Sequence, residues 1–323
     1  MRNRAASLLA RLKNKSKEQG IPLQQLINLF CQEEFIRRLS QSPYKDHLIL
    51  KGGFLLYAIS SFTSRPTIDA DYLLNDFSND LKAIENLLEV VISEDSENDF
   101  VQFKIRGLEK ITEMKEYHGI RVNLLGVIGK TKTPFSFDFG VGDIIVPSPI
   151  MRELPVIIQG FKNPKILTYS LESTIAEKLD AILSLMEATG RMKDFYDIYY
   201  LACHFDFDGR FLQTAISSTF KKRKRSYEKD AVRIIARLEQ DSDIRKRWEN
   251  FCKKVLRFEL NFKDVLDIII EFLEPPFEAI MIEEEFAKYW SSDKKYIEKN
   301  EREEKERGLK RDEGEQKQGV KRV

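Results

Sequence analysis

Apolar residues recur at helical spacing over residues 5–41 of this 323-residue chain. This pattern predicts two helices, over residues 5–19 and 22–41. Pro22 stands just inside the start of the second helix, where its missing N–H group costs nothing. The apolar side of that helix is formed by Leu23, Leu26, Ile27, Phe30, Phe35, Ile36 and Leu39.

Shorter apolar runs follow, and they predict a sheet. Strands are expected at 47–51, 68–74, 100–106, 120–128 and 135–139, with a short helix from Phe54 to Ser60. An amphipathic helix is predicted at 79–93, with Ser78 as its cap. In the last strand, Ser136 and Asp138 alternate with phenylalanines and therefore lie on the opposite face. These elements indicate a mixed α/β module built around one sheet.

The pattern changes after the proline-bearing stretch 147–164. Helices are predicted over 171–187 and 193–205, and several more extend to about residue 290. The segment from Ser292 onward is highly charged and has no hydrophobic stripe, which is typical of a disordered tail or a solvated helix. The chain is therefore divided into a sheet domain (1–165), a helical domain (166–291) and a charged tail (292–323).

Composition indicates an ordinary globular protein, with 42% hydrophobic and 33% charged residues. No apolar run is long enough to cross a bilayer, and the first ten residues do not form a signal peptide, so we expect no membrane association. The three cysteines are odd in number and widely separated, which favours the reducing cytoplasm. Cys203 and His204 are adjacent but too isolated to predict a zinc site.

Positive charge is concentrated in two places although the net charge is only +1. Residues 1–53 carry ten Lys/Arg against four acidic residues, a local balance of +6. A second basic run covers residues 221–225 at the end of a predicted helix. Such surfaces suit a polyanion such as RNA, but basic residues in a last helical turn also offset the helix dipole. Both interpretations of the second run remain open.

The clearest chemical signal is a glycine pair, Gly52 and Gly53, followed by Asp69 and Asp71. The two aspartates are two positions apart on a predicted strand and therefore project from one face. Paired carboxylates suit Mg²⁺, and glycines let backbone N–H groups approach a phosphate closely. The combination predicts a site for a metal-bound nucleoside triphosphate. A simple glycine turn followed by a solvated strand face would give the same sequence pattern. A P-loop is excluded because Lys51 precedes the glycines.

Four motifs in order give the chain a recognisable likeness. It resembles the nucleotidyltransferase superfamily with a polymerase-β-like core and, more narrowly, the AbiEii/AbiGii toxin family of type IV toxin–antitoxin systems. The resemblance covers about residues 5–205. Phe54 and Ala70 depart from it, since the family often has Ser or Thr at the first position and a larger aliphatic residue at the second. The motifs are Leu50-Lys51-Gly52-Gly53, Arg65-Pro66-Thr67-Ile68-Asp69-Ala70-Asp71, Ala176-Glu177-Lys178-Leu179 and Lys193-Asp194-Phe195-Tyr196-Asp197.

The resemblance implies an α+β fold, in which a polymerase-β-like core is followed by a helical domain that completes the cleft. It also implies that Asp69, Asp71 and a third carboxylate on a neighbouring strand hold Mg²⁺, with Mn²⁺ as the alternative ion. Asp138 is the favoured third ligand. Its competitor, Asp143, follows Gly140 and Gly142 in a predicted loop.

Further roles are implied for residues beyond the metal site. The amides of Gly52 and Gly53, together with Arg65 and Lys178, would bind the triphosphate, and Asp194 would orient the nucleotide or help accept a proton. Two structural alternatives stay open. Lys178 and Asp194 are also compatible with an interhelical salt bridge, and Arg65 with a partner for a carboxylate.

The activity implied by the resemblance is transfer of a nucleoside monophosphate from an NTP to RNA, with the 3′ end of a tRNA as acceptor. The outcome would be growth arrest relieved by a cognate antitoxin encoded nearby, in a toxin–antitoxin or phage-defence system. Two rival functions are compatible with the residues. One is a non-catalytic nucleotide- or RNA-binding module on the same fold, and the other is a metal-dependent nuclease or phosphohydrolase.

Overall fold

The computed structural model describes residues 2–67, 70–113, 117–298 and 300–302. The chain divides into two compact units, Met1–Ser170 and Leu171–Val323. The predicted boundary at 165/166 coincides with the start of a strand of the first unit, so the sheet unit extends to Ser170.

The first unit is a sheet with flanking helices. Its helices are α1 (Arg2–Gln19), α2 (Leu23–Leu39), α3 (Gly52–Ile59) and α4 (Leu81–Ser93). Its strands are β1 (Leu48–Lys51), β2 (Ala70–Leu74), β3 (Val101–Glu113), β4 (Tyr117–Ile128), β5 (Thr131–Val141), β6 (Ile150–Glu153) and β7 (Lys165–Thr168). In the described residues these strands form one sheet in the order β3-β4-β5-β2-β1-β7-β6.

The sheet is mixed: four of its six pairings join consecutive strands, and two, β2 with β5 and β1 with β7, join strands that are distant in sequence. β2 pairs in parallel with β5 and antiparallel with β1, and β1 pairs in parallel with β7. Phe135, Phe137 and Phe139 alternate along β5 and are buried, because α2 packs against this strand. The opposite face of β5 carries Ser136 and Asp138, as the alternation predicts.

Several local features of this unit differ from the sequence predictions. β6 and β7 were not predicted, because each is only four residues long and they lie within and directly after the proline-bearing stretch 147–164. The cap of α4 is Asp80, whose carboxylate accepts from the backbone N–H groups of Lys82 and Ala83, rather than Ser78. The Ser78 hydroxyl instead accepts from the Asp80 N–H at 3.1 Å.

The second unit is mainly helical. Its helices are α5 (Leu171–Leu185), α6 (Met192–His204), α7 (Gly209–Lys222), α8 (Ala231–Ile234), α9 (Ser242–Phe251) and α10 (Phe262–Met281). A small antiparallel sheet in the described residues consists of β8 (Phe207–Asp208), β9 (Tyr289–Ser291) and β10 (Lys295–Ile297). An α+β fold, with a mixed sheet followed by a helical region, is thus confirmed.

Folded structure continues past the predicted start of the charged tail at Ser292. β10 pairs with β9, and the Tyr296 hydroxyl donates to the Phe272 carbonyl at 2.6 Å. The strand was missed because it is three residues long within a highly charged segment. Residues 303–323 of the predicted tail lie outside the described part of the chain. Among the helices that are described, none has the length and apolar character needed to cross a bilayer.

Candidate functional site

A row of charged residues crosses one face of the first unit's sheet. Asp71 on β2 lies opposite Asp138 on β5 and opposite Lys51 on β1. Arg121 on β4 is the next partner of Asp138, and Glu109 on β3 pairs with Arg121. Residues opposite one another on neighbouring strands project to the same face, so the register aligns these five side chains. Sequence-distant carboxylates are thereby brought side by side.

Gly52 is in close contact with the Asp71 carboxylate. Its φ of +71° lies in the region that favours glycine, and a Cβ built there would lie 2.0 Å from Asp71 Oδ2. The chain turns at this glycine from β1 into α3, whose first residues are Gly52 and Gly53. A helix N-terminus presents unpaired backbone N–H groups and a partial positive charge, a combination that suits phosphate.

Two further polar side chains flank Gly53. A Cβ built on Gly53 would lie 2.8 Å from Thr67 Oγ1 and 3.4 Å from Nη2 of Arg65. Both Arg65 and Thr67 are buried. Arg65, the arginine predicted to bind phosphate, therefore lies directly beside the glycine turn. Its burial there also suits a structural role.

Lys51 connects this turn to the loop after β5. Its Nζ lies 2.7 Å from Asp143 Oδ2 and 4.5 Å from the centre of the Tyr169 ring. Asp143, the competitor for the third carboxylate, is thus engaged by a lysine. Asp138, in contrast, stands directly next to Asp71 in the sheet register.

Arg121 holds Asp138 through a two-pronged ion pair. Nε lies 2.9 Å from Oδ1 and Nη2 lies 2.8 Å from Oδ2. Both side chains are partly exposed, so the pair contributes little to folding stability but fixes the orientation of the carboxylate. Sequence analysis did not select Arg121, although its polar position within the apolar alternation of β4 was visible.

The residues present fit a divalent cation only in part. Asp71 and Asp138 supply two hard oxygen donors on adjacent strands, the chemistry that Mg²⁺ requires. Asp69, the predicted partner two positions before Asp71, lies outside the described residues. Among the residues that are described, no group of three or more His, Cys, Asp or Glu side chains is placed to hold a metal ion.

The second unit contains a separate ionic cluster formed by α5 and α6. Lys178 Nζ lies 2.8 Å from Asp194 Oδ1 and 2.7 Å from Asp197 Oδ2, and Arg191 Nε lies 2.5 Å from Asp194 Oδ2. Asp194 and Asp197 are buried. Burial by itself would raise the pKa of Asp194, but the charges of Lys178 and Arg191 outweigh it and lower that pKa. Asp194 is therefore a carboxylate.

The basic run at 221–225 is partly engaged inside the second unit. Arg223 Nη1 lies 2.8 Å from Asp180 Oδ2, and Tyr227 donates its hydroxyl to Asp180 Oδ1 at 2.8 Å. Lys221, Lys222, Lys224 and Arg225 are exposed. One member of the run is thus a structural ion-pair partner, which sequence analysis could not distinguish from its neighbours.

The predicted site residues fall into two groups. One group lies at or beside the central strands β1, β2 and β5 of the first unit and contains Gly52, Gly53, Arg65, Asp71 and Asp138. Lys178 and Asp194 contact each other within the second unit. Sequence analysis did not assign roles to Lys51, Arg121, Arg191 or Asp197, which complete the ionic contacts of the two groups.

Comparison with known proteins gives one family and two structural likenesses. The model of the family described as nucleotidyl transferase AbiEii toxin, type IV TA system, matches residues 34–282. A Helicobacter pylori crystal structure, of a candidate nucleotidyltransferase, has 14% identity and a TM-score of 0.46, covering 80% of this chain and 99% of its own. The crystal structure of JHP933 from Helicobacter pylori has 13% identity and a TM-score of 0.42, covering 80% and 96%. No curated protein sequence gives a significant match.

Proposed function

The chain belongs to the AbiEii family of nucleotidyltransferase toxins of type IV toxin–antitoxin systems, and on this premise we propose that it transfers a nucleoside monophosphate from an NTP to RNA. The observation that carries the proposal is the alignment of Asp71 and Asp138 beside the Gly52 turn. Two carboxylates and a glycine turn of the kind that can bind phosphate lie together at the central strands, and this supports nucleotidyl transfer.

Asp71 and Asp138, together with Asp69, would hold the Mg²⁺ ion. When bound, that ion supplies neutralisation of phosphate charge and activation of the attacking hydroxyl. Arg121 keeps the Asp138 carboxylate fixed in orientation before the ion binds. Asp138 then has to exchange part of its contact with Arg121, which is feasible because that pair is partly exposed.

The glycine turn and its basic neighbours would bind the triphosphate. The first backbone N–H groups of α3 belong to Gly52 and Gly53, and Arg65 lies beside them. Phe54 provides no hydroxyl, so backbone amides and Arg65 carry this role. Phosphoryl-type transfer depends mainly on such positioning and charge neutralisation, since little covalent chemistry is left to the protein.

Lys178 and Asp194 belong to the helical part of the same proposal. Lys178 would contact the triphosphate, and Asp194, held as a carboxylate by Lys178 and Arg191, would orient the nucleotide or help accept a proton. Asp197 also contacts Lys178 and thereby restricts the movement of the lysine side chain. The acceptor is proposed to be RNA, with the 3′ end of a tRNA as the specific substrate. A cognate antitoxin would neutralise the toxin in the cytoplasm.

One observation favours a second candidate. The two-pronged contact with Arg121 neutralises Asp138, which suits a non-catalytic nucleotide-binding module that does not require a metal. Such a module would bind NTP without releasing pyrophosphate. A nuclease or phosphohydrolase, in contrast, would shorten RNA or degrade the NTP without labelling the acceptor.

The test is incubation of the purified chain with each α-labelled NTP, Mg²⁺ and total tRNA, followed by sizing of the RNA and measurement of pyrophosphate. We expect labelled RNA and released pyrophosphate with at least one NTP. The variant Asp71→Asn should lose labelling because the site cannot replace the missing charge. The matched control is Asp76→Asn: Asp76 is exposed with φ +47°, a conformation that asparagine accepts. Labelling that survives Asp71→Asn would refute the proposed site.

A further inference from the structure

Two loops of the first unit are fixed to α2 by buried charges. Glu34 accepts from Asn98 Nδ2 at 2.8 Å, and Glu33 accepts from the Ile157 N–H at 2.6 Å. Arg37 contacts both glutamates and donates from Nε to the Lys162 carbonyl at 2.9 Å. The side chains of Glu33, Glu34 and Arg37 are at most 3% exposed. Residues 95–98 and 157–162 are therefore anchored to α2 by these buried side chains.

Between these loops and α1 lies an open groove of about 450 Å³. Arg4, Arg11 and Lys162 contribute positive charge to its lining, and Phe100 and Phe161 contribute aromatic rings. The guanidinium of Arg4 lies 4.9 Å from the Phe100 ring centre, and that of Arg11 lies 6.0 Å from the Phe161 ring centre. One acidic side chain, Glu97, also lines the groove.

The basic side chains keep donors for a ligand. Arg4 donates to the Glu97 carbonyl at 2.9 Å and contacts Asp99 at 3.4 Å, and Arg11 donates to the Gln159 carbonyl. A guanidinium has five N–H donors, so these contacts leave others available. Lys162 has no side-chain ion pair among the described residues, and its side chain is exposed. By sequence, α1 carries six Lys/Arg against one acidic residue.

We infer that this groove binds an unpaired nucleotide segment of RNA, with a base against Phe161 and its phosphates on Arg4, Arg11 and Lys162. Proteins that bind single strands combine a positive groove with aromatic rings on which bases stack. The volume lies within the range of small-ligand sites. The groove is already formed, so little ordering is needed on binding. The inference rests on the proposed function only in taking RNA as the acceptor.

The test measures RNA binding without catalysis, using the full chain, labelled total tRNA and a single-stranded oligouridylate over a range of salt concentrations. The groove variant is Arg11→Glu with Lys162→Glu. Its matched control is Lys13→Glu with Lys17→Glu, which makes the same charge change at exposed positions of α1 outside the groove. The melting temperature is recorded for both variants, because Arg11 also holds the Gln159 carbonyl.

We expect the groove variant to bind RNA about 10- to 100-fold more weakly and to reduce the slope of log K against log salt by about one to two. The control should lower RNA affinity less than threefold and leave the slope of log K against log salt unchanged. It removes only the general attraction between positive charge and RNA. Equal weakening by both variants, or no RNA binding by the unmodified chain, would overturn the inference.

A second measurement reports base contact directly. The variant Phe161→Trp introduces an indole into the groove, while the native Trp248 and Trp290 are buried in the second unit. Oligouridylate should quench the new indole, and heparin, a polyanion without bases, should not. Quenching by both or by neither would exclude a base-stacking site.

Labelling of RNA with NTP is measured separately, so the two proposals can fail independently. RNA binding that depends on the groove, without nucleotide transfer, would refute the proposed function alone. Nucleotide transfer without groove-dependent binding would refute only the groove.

Discussion

Removing the charge of Lys178 should separate its structural role from its catalytic role. In Lys178→Met, the ammonium shared by Asp194 and Asp197 is lost, while Arg191 still contacts Asp194. The lysine side chain is 12% exposed and both carboxylates are nearly inaccessible, so solvent screens the contacts weakly. Breaking one side of a buried ion pair costs about 3–5 kcal/mol. Since Arg191 remains, we expect about 3 kcal/mol.

That loss is large enough to measure by thermal unfolding. For a domain of about 150 residues, 1 kcal/mol corresponds to roughly 2–4 °C, so the melting temperature should fall by about 6–12 °C. The pKa of Asp194 is lowered below its ordinary value of 3.8, so the stabilisation is complete above pH 3.8 and is lost as pH falls through the lowered pKa. In the unmodified chain this contribution should therefore be constant from pH 5 to pH 8.

A compensating variant provides the decisive comparison. In Lys178→Met with Asp197→Asn, one negative charge is removed with the positive one, so the melting temperature should recover partly. If Lys178 contacts the triphosphate, NTP incorporation should remain about 100-fold or more below that of the unmodified chain, as for loss of a charge-stabilising donor. Lys193→Met, an exposed lysine on α6, is the matched control and should be normal in both assays. Activity that recovers together with stability would show that Lys178 is only a salt-bridge partner.

Gly52→Ala should lower incorporation by about 100-fold, because moving a reacting group by about 1 Å costs that much and the new Cβ would displace Asp71. Gly107→Ala, with no atom within 4 Å of the new Cβ, is its control, and equal activity of the two would contradict this account. Chelation of divalent cations should abolish incorporation and added Mg²⁺ should restore it, whereas activity persisting in chelator would exclude the metal site. Deletion of residues 303–323 should leave melting temperature and incorporation unchanged, but deletion from residue 292 should lower the melting temperature by removing β10. Equal melting of the two truncations would show that β10 does not stabilise the unit.

The periodicity of the chain was enough to predict most of its helices and the longer strands. β5 illustrates why, since three alternating phenylalanines identify both the strand and its buried face. The four-residue strands β6 and β7 have too few residues to show a period, and the surrounding prolines obscure them. For α4, both Ser78 and Asp80 are suitable cap residues, and only the backbone geometry decides between them.

The sequence predicted which residues belong to the candidate site, but not how they are arranged in space. Sequence placed Asp71 and Asp138 on strands, but their direct pairing depends on the parallel register of β2 with β5, which no local pattern encodes. Arg121 was visible as a polar position on β4, yet its partner was not. The contact of Lys51 with Asp143 joins positions 92 residues apart. Ionic partners so far apart in sequence are brought together by the tertiary fold, and no local sequence pattern identifies them.

The buried charges of α2 also affect how the first unit opens locally. Surface loops usually exchange their amide hydrogens sooner than core helices do. Here, releasing residues 95–98 or 157–162 alone would break buried hydrogen bonds to Glu33, Glu34 or Arg37, each worth about 1.5–3 kcal/mol when the partner is charged. The Ile157 amide, bonded to Glu33, should therefore exchange at the slow rate of the α2 amides. We therefore expect the two loops and the helix to open as one cooperative unit in spite of their distance in sequence.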